Sequence, residues 1–155
     1  MGYDIYIGEA DLETCEYDNA VRIIVKKTTH PSAPFFRNDG MTGRGNSRHP
    51  SYHGWSIFCK ETGLIDLFFN EETGLMRSHP GSYSLTQSVL EIICNALERR
   101  KQYAKEKGLI AEFPENFIGN DPVPNADPHL ARLMWLEFWV RWALENCKNP
   151  TIVNF

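Results

Sequence analysis

At 155 residues the chain has the length of one ordinary domain, and its 42% hydrophobic content is enough to bury a core without disulfides or a structural metal. A net charge of -4 and an isoelectric point near 5.7 exclude a general duplex DNA binder, which needs a broad basic surface to neutralise phosphates. No apolar run approaches the ~20 residues of a membrane span, so no membrane partner is expected.

Met1, Gly2, Tyr3 and Asp4 lack the basic region and apolar run of a signal peptide. Cys15, Cys59, Cys94 and Cys147 show no C-x-x-C spacing. These features predict a cytoplasmic protein with unpaired thiols, no metal and no cofactor.

Tyr3, Ile5 and Ile7 alternate with Asp4 and Tyr6, and Val21, Ile23 and Val25 alternate with Arg22 and Ile24, the period-2 pattern of two strands. An antiparallel hairpin with Glu9 to Asn19 as its connection is the simplest topology, and it needs a helix against it. From Thr28 to Pro50 the pattern vanishes. His30, Pro31, Pro34, Gly40, Gly43 and Gly45 punctuate a Gly/Pro/Arg-rich loop at about 29–50, which Phe35 and Phe36 should partly anchor. Ser51 to Glu61 reads as a short helix capped by Ser51 and closed by Gly63.

Leu64 to Phe69 is an apolar run that fits either a strand or a helical turn, and Glu71 to Ser84 is rich in turn residues. Thr86 as N-cap and Gly108 as terminator frame a long helix with Val89, Leu90, Ile93, Ala96, Leu97 and Tyr103 along its apolar face. Leu109 to Ala126 is a proline-containing linker. Asp127 and Pro128 then open a second long helix, ended by Lys148, Asn149 and Pro150. It carries Trp135, Trp139 and Trp142 on a narrow arc and Glu137, Arg141 and Glu145 at i, i+4 spacing on another face. Almost everything else on it is apolar, which makes it the expected centre of the core. Thr151 to Phe155 is β-prone and could add a third strand. The predicted fold is one α+β domain, a small antiparallel sheet packed against two long helices.

The main chemical anomaly lies between Arg37 and Lys60, where Arg37, Arg44, Arg48 and Lys60 stand against a single acid, Asp39, inside an acidic protein. Glycine lets backbone N–H groups approach a ligand, arginine offers a planar fork for paired oxygens, and a helix N-terminus adds free donors. Arg44, Asn46, Ser47, Arg48 and His49 are therefore the expected holders of an anion, with Tyr52 or Trp55 stacking on a ring. The spacing is neither a Walker A motif nor a dinucleotide fingerprint.

His49 and His53 are candidate acid/base residues, and His79 recurs in a second His-Pro pair. Pro50 separates His49 from the helix carrying His53, which weakens a shared metal site. Arg48-His49-Pro50-Ser51-Tyr52, with Trp55 after it and Met76 to Gly81 (within LMRSHPG), resembles a class of small uncharacterised proteins of bacteria and their phages. That resemblance implies no activity.

The expected function is binding of a small anionic, nucleotide-like ligand, for example as a phage sponge of a signalling nucleotide. The alternatives are a hydrolase or transferase of a phosphorylated substrate using His49 or His53, and a protein-interaction module. No particular oligomer is predicted.

Overall fold

Residues 2–41, 43–75, 80–112 and 123–155 are described in the computed structural model of the chain. In chain order the elements are β1 (Ile5–Thr14), β2 (Val21–Val25), β3 (Ser47–Arg48), α1 (Tyr52–Thr62), α2 (Ile65–Phe68), β4 (Gly81–Ser84), α3 (Gln87–Lys107), β5 (Ile110–Ala111), β6 (Ala126–Asp127), α4 (Pro128–Asn146) and β7 (Pro150–Asn154). The fold is α+β.

The N-terminal alternation puts Ile5 and Ile7 into the core, but β1 does not stop there. It continues to Thr14 and pairs antiparallel with β2 from Ala10↔Val25 to Thr14↔Val21. Most of the expected connection Glu9 to Asn19 is therefore strand. Its turn is confined to the end, where the Cys15 N–H donates to the Ala20 carbonyl and Asn19 adopts a left-handed φ of 55°. The outer half of β1 reads as polar because it runs beyond the helices into solvent, where ladder hydrogen bonds need no buried side chain.

The C-terminal segment forms β7, which lies between β1 and β4, with Ile152 opposite both Ile7 and Tyr83. β3 pairs with β1 at Ile5↔Arg48, completing a five-stranded antiparallel sheet. β5 and β6 make a separate parallel pair that brings the two ends of the Leu109–Ala126 linker together. Residues 113–122 of that linker, and His79 with most of the Met76 to Gly81 run, lie outside the described residues.

The helices begin and end as local chemistry dictates. Ser51 Oγ accepts from the Gly54 N–H, Thr86 Oγ1 from the Val89 N–H and Asp127 Oδ1 from the His129 N–H. Gly63 and Gly108 close α1 and α3 in the left-handed conformation. Leu64 to Phe69 is helical, forming α2.

α4 is buried along most of its length and, with α3, covers Ile5, Ile7 and Ile152 of the sheet. Trp135 and Trp139 are fully buried, while Trp142 is half-buried against Trp139. On α3, Tyr103 departs from the expected apolar face. It is 42% exposed beneath the Arg100 guanidinium, and Ala104 takes the core position instead.

The long loop is tied down. A bridge joins Thr29 to Gly45, and Ala33, Phe36 and Met41 are buried. Asn46 does most of the tying: its Nδ2 donates to the carbonyls of Ile7 (2.8 Å) and Lys26 (2.9 Å), and its Oδ1 accepts from the Thr28 N–H (2.9 Å). Stranding a buried backbone group costs about 1–3 kcal/mol, and three would be stranded or left to water. Asn46→Ala should therefore lower stability by roughly 2–3 kcal/mol in a urea melt. An unchanged midpoint would mean that the loop is held elsewhere.

A candidate anion site built on two buried arginines

Asp39 stands at the centre of the site. It follows Asn38 and precedes Gly40 in a tight turn, with a left-handed φ of 56° that aspartate tolerates better than most residues. The Asp39 carbonyl accepts from the His49 N–H at 2.5 Å, fixing the turn against the end of β3.

The Asp39 carboxylate then faces two guanidiniums. Oδ2 accepts from Arg48 Nε and from Arg132 Nε, each at 2.6 Å, and Oδ1 accepts from Arg132 Nη2 at 2.7 Å. Arg132, in the second turn of α4, also donates from Nη1 to the Gly54 carbonyl at 3.1 Å, so one side chain joins α4, α1 and the loop.

Both guanidiniums sit against aromatic rings. Arg132 lies 5.7 Å from the Trp55 ring and 5.6 Å from Phe58, and Arg48 lies 5.8 Å from Trp135. Trp135 is itself held by its Nε1 hydrogen bond to the Gly45 carbonyl. The rings and the bidentate contact fix the planes of the two cations.

Arg48 is fully buried, and beyond its Nε contact its Nη1 and Nη2 have no hydrogen-bond partner among the described residues. Buried charged donors without partners are rare and costly. Close by are two more unpartnered buried atoms, Glu112 Oε2 and Asn38 Nδ2. Glu112 follows β5 and lies within electrostatic reach of Arg48, Asp39 and Arg132. The Asn38 amide approaches its carboxyl without completing a well-formed hydrogen bond.

The ionisation of these groups follows from their surroundings. Burial alone would raise the pKa of Asp39, but the hydrogen bond from Arg132 and the charges of Arg48 and Arg132 outweigh it and hold the carboxyl below its usual value. Burial lowers the pKa of Arg48, against the pull of Asp39. For Glu112, burial dominates and raises the pKa, with Arg48 opposing and Asp39 reinforcing the shift. Two guanidiniums thus face the firmly ionised Asp39 and the more easily protonated Glu112, and the protonation of Glu112 sets the net charge of the cluster.

No family model, curated protein or solved structure matches this chain.

The residues singled out in the sequence fall in different places. Arg48 is in the site, pointing inward. Arg44 is half-buried and donates from Nη1 to the Ala33 carbonyl within the loop. Asn46 is the backbone clamp already described, and Ser47 is half-buried on β3, opposite Tyr6. His49 places Nδ1 3.2 Å from Asp4 Oδ1 and its ring edge-on to Tyr6, whereas His53 is exposed on the first turn of α1. Tyr52 is half-buried, edge-on to Tyr3 and Phe69.

Trp55 lies wholly in the core, stacked on Tyr3 and tilted against Phe58, which leaves no ring face for a ligand. Gly43 is exposed and open, and the Gly54 N–H in the first turn of α1 is taken by Ser51 Oγ, so the glycines and that N–H do not combine into one cradle. Among the described residues no group of three or more His, Cys, Asp or Glu side chains could hold a metal ion, and no helix is long and apolar enough to cross a membrane.

Arg132, Glu112 and Asn38 were not marked by any motif. Arg132 did leave a trace, being a lone charge in the apolar run Leu130, Ala131, Leu133, Met134, and a charge there requires a buried partner. Glu112 leaves none.

Proposed function

We propose that the chain encloses a small anionic ligand at the unpaired edge of the fully buried Arg48 guanidinium, with Asp39 and Arg132 holding that edge in place. The observation that carries this reading is the pair of buried Nη atoms on Arg48 that have no hydrogen-bond partner among the described residues. A guanidinium edge accepts two coplanar oxygens, as a carboxylate or phosphate presents them. The nucleotide-like form of the ligand, including a sponge for a signalling nucleotide, also needs a ring platform. Of the two aromatic candidates only half-buried Tyr52 retains open surface.

Thermal-shift and calorimetric titration with formate, inorganic phosphate, sugar phosphates and mono-, di- and cyclic nucleotides tests the proposal. At least one should stabilise the wild type. Arg48→Lys keeps the charge beside Asp39 but loses the planar edge, and a charge-assisted contact contributes roughly 1.5–3 kcal/mol, so binding should weaken about tenfold or more. Lys105→Ala, on the exposed face of α3, should bind as the parent does. Stabilisation by none of these anions, or equal binding by Arg48→Lys, would overturn the proposal. It would favour an interaction module, for which the β1–β2 hairpin exposes Leu12, Val21 and Ile23.

A second reading rests on the contact between His49 and Asp4. A carboxylate on Nδ1 orients an imidazole so that Nε2 can act as a general base. Such a hydrolase or transferase would turn over a phosphorylated substrate, and His49→Ala would abolish turnover while binding persisted.

A further inference from the structure

Among the described residues, Glu112 is the acid at this site that takes no part in the Asp39 clamp. Its position follows from the fold: the parallel pairing Ile110↔Ala126 and Ala111↔Asp127 brings it to the N-terminal end of α4, the helix that supplies Arg132. Among the described residues, the groups that act on it are Arg48 from β3, Arg132 from α4, and Asp39 and Asn38 from the loop. Its buried Oε2 and the two Nη atoms of Arg48 have no hydrogen-bond partner among the described residues, so Arg48 acts on it through charge and not through a direct contact.

We propose that the Arg48 site takes a singly charged oxyanion together with one proton, the proton residing on Glu112. This rests on the anion-binding reading above. With Glu112 protonated, Arg48 and Arg132 against Asp39 leave a single positive charge, which a monoanion neutralises. With Glu112 ionised the cluster is already neutral, and an anion would bring a buried net negative charge.

The same guanidinium serves both partners. An anion on Arg48 screens the positive charge that helps Glu112 to ionise, so the bound state favours the protonated carboxyl. A protonated Glu112 and the Asn38 amide can then both donate toward the anion. Burial already disposes Glu112 toward protonation, and Asp39 reinforces it. The ligand class is thus a carboxylate or another monoanion in preference to a phosphate dianion.

Calorimetric titration of the full chain with formate, whose own charge is constant over the range, from about pH 5.5 to about pH 8 tests this. Measured in buffers of different ionisation heat, formate binding by the wild type should take up protons. Affinity should fall as pH rises, by up to about tenfold per unit where one proton is fully linked. Glu112→Gln should bind formate with no proton uptake and a flat profile.

Wild-type binding without proton uptake, an unchanged pH slope in Glu112→Gln, or tighter binding of dianionic phosphate than of formate at the upper pH would overturn the inference. Each of those results leaves the anion-binding reading standing. Absence of binding by formate and by inorganic phosphate at any pH would overturn both.

Discussion

Asp39→Ala should destabilise the protein by about 3–5 kcal/mol, the cost of removing one partner from a buried ion pair and leaving the other charge uncompensated. Two cations are left here. Arg48 is fully buried and Arg132 nearly so, and each loses its carboxylate contact at 2.6 Å. The left-handed φ of 56° adds strain once the residue is alanine. Denaturant melts of Asp39→Ala and Asp39→Asn measure it, and Asp39→Asn should fall between Asp39→Ala and the wild type because it keeps a polar acceptor.

The sign of the pH dependence follows from the lowered pKa of Asp39. A carboxyl whose folded pKa is depressed stabilises the fold above its unfolded value, near 4, and that contribution is lost as pH falls through the folded value. The gap between the wild type and Asp39→Asn should therefore close on acidification below about pH 4. A constant gap from neutral to acid pH would mean that the carboxylate charge does not stabilise the clamp.

Trp139→Ala should have a similar effect, about 3–5 kcal/mol, the usual range for deleting a buried aromatic. Trp139 is fully buried on α4 and makes edge-on contacts with Phe138 at 5.2 Å and Trp142 at 5.3 Å. Leu133, Trp135, Leu136 and Val140 on the same helix are also fully buried, leaving little room for the cavity to collapse. Trp142→Ala should cost less, because that ring is half-buried. A soluble Trp139→Ala protein with an unchanged melt would contradict the role given to α4.

The three longer helices were legible in the sequence because their ends are written locally, whereas α2, which has no side-chain cap, was not. Ser51, Thr86 and Asp127 cap the next turn with their own oxygens, Gly63 and Gly108 take the left-handed position, and no distant residue is needed to decide any of these. The sheet was only half legible. Glu9 to Thr14 alternates poorly because the outer half of β1 is solvated, and β3 and β4 are too short to show a period.

The direction of the arginines was not legible at all. Basic residues amid glycines read as an anion-binding loop, but Asp39 and Arg132 are 93 residues apart in sequence and meet only through the fold. Asp39 counts as a single acid diluting a basic stretch until its two partners are seen. Trp55 illustrates the same limit from the other side. Proximity to the loop suggested a stacking ring, whereas the helical phase of α1 turns it into the core beside Phe58 and Cys59.

The anion site depends on the terminal nitrogens of Arg48 being able to receive an anion. The most direct measurement is side-chain NMR of arginine-labelled protein during titration with formate and inorganic phosphate, following the Nε–H and Nη–H resonances assigned by Arg48→Lys. The Arg48 signals should shift saturably with at least one of these anions and become better protected from exchange, while those of exposed Arg99 and Arg141 show only the weak drift of ionic screening. Arg48 signals that stay in place throughout the titration would contradict the anion site and leave the cluster a structural clamp alone.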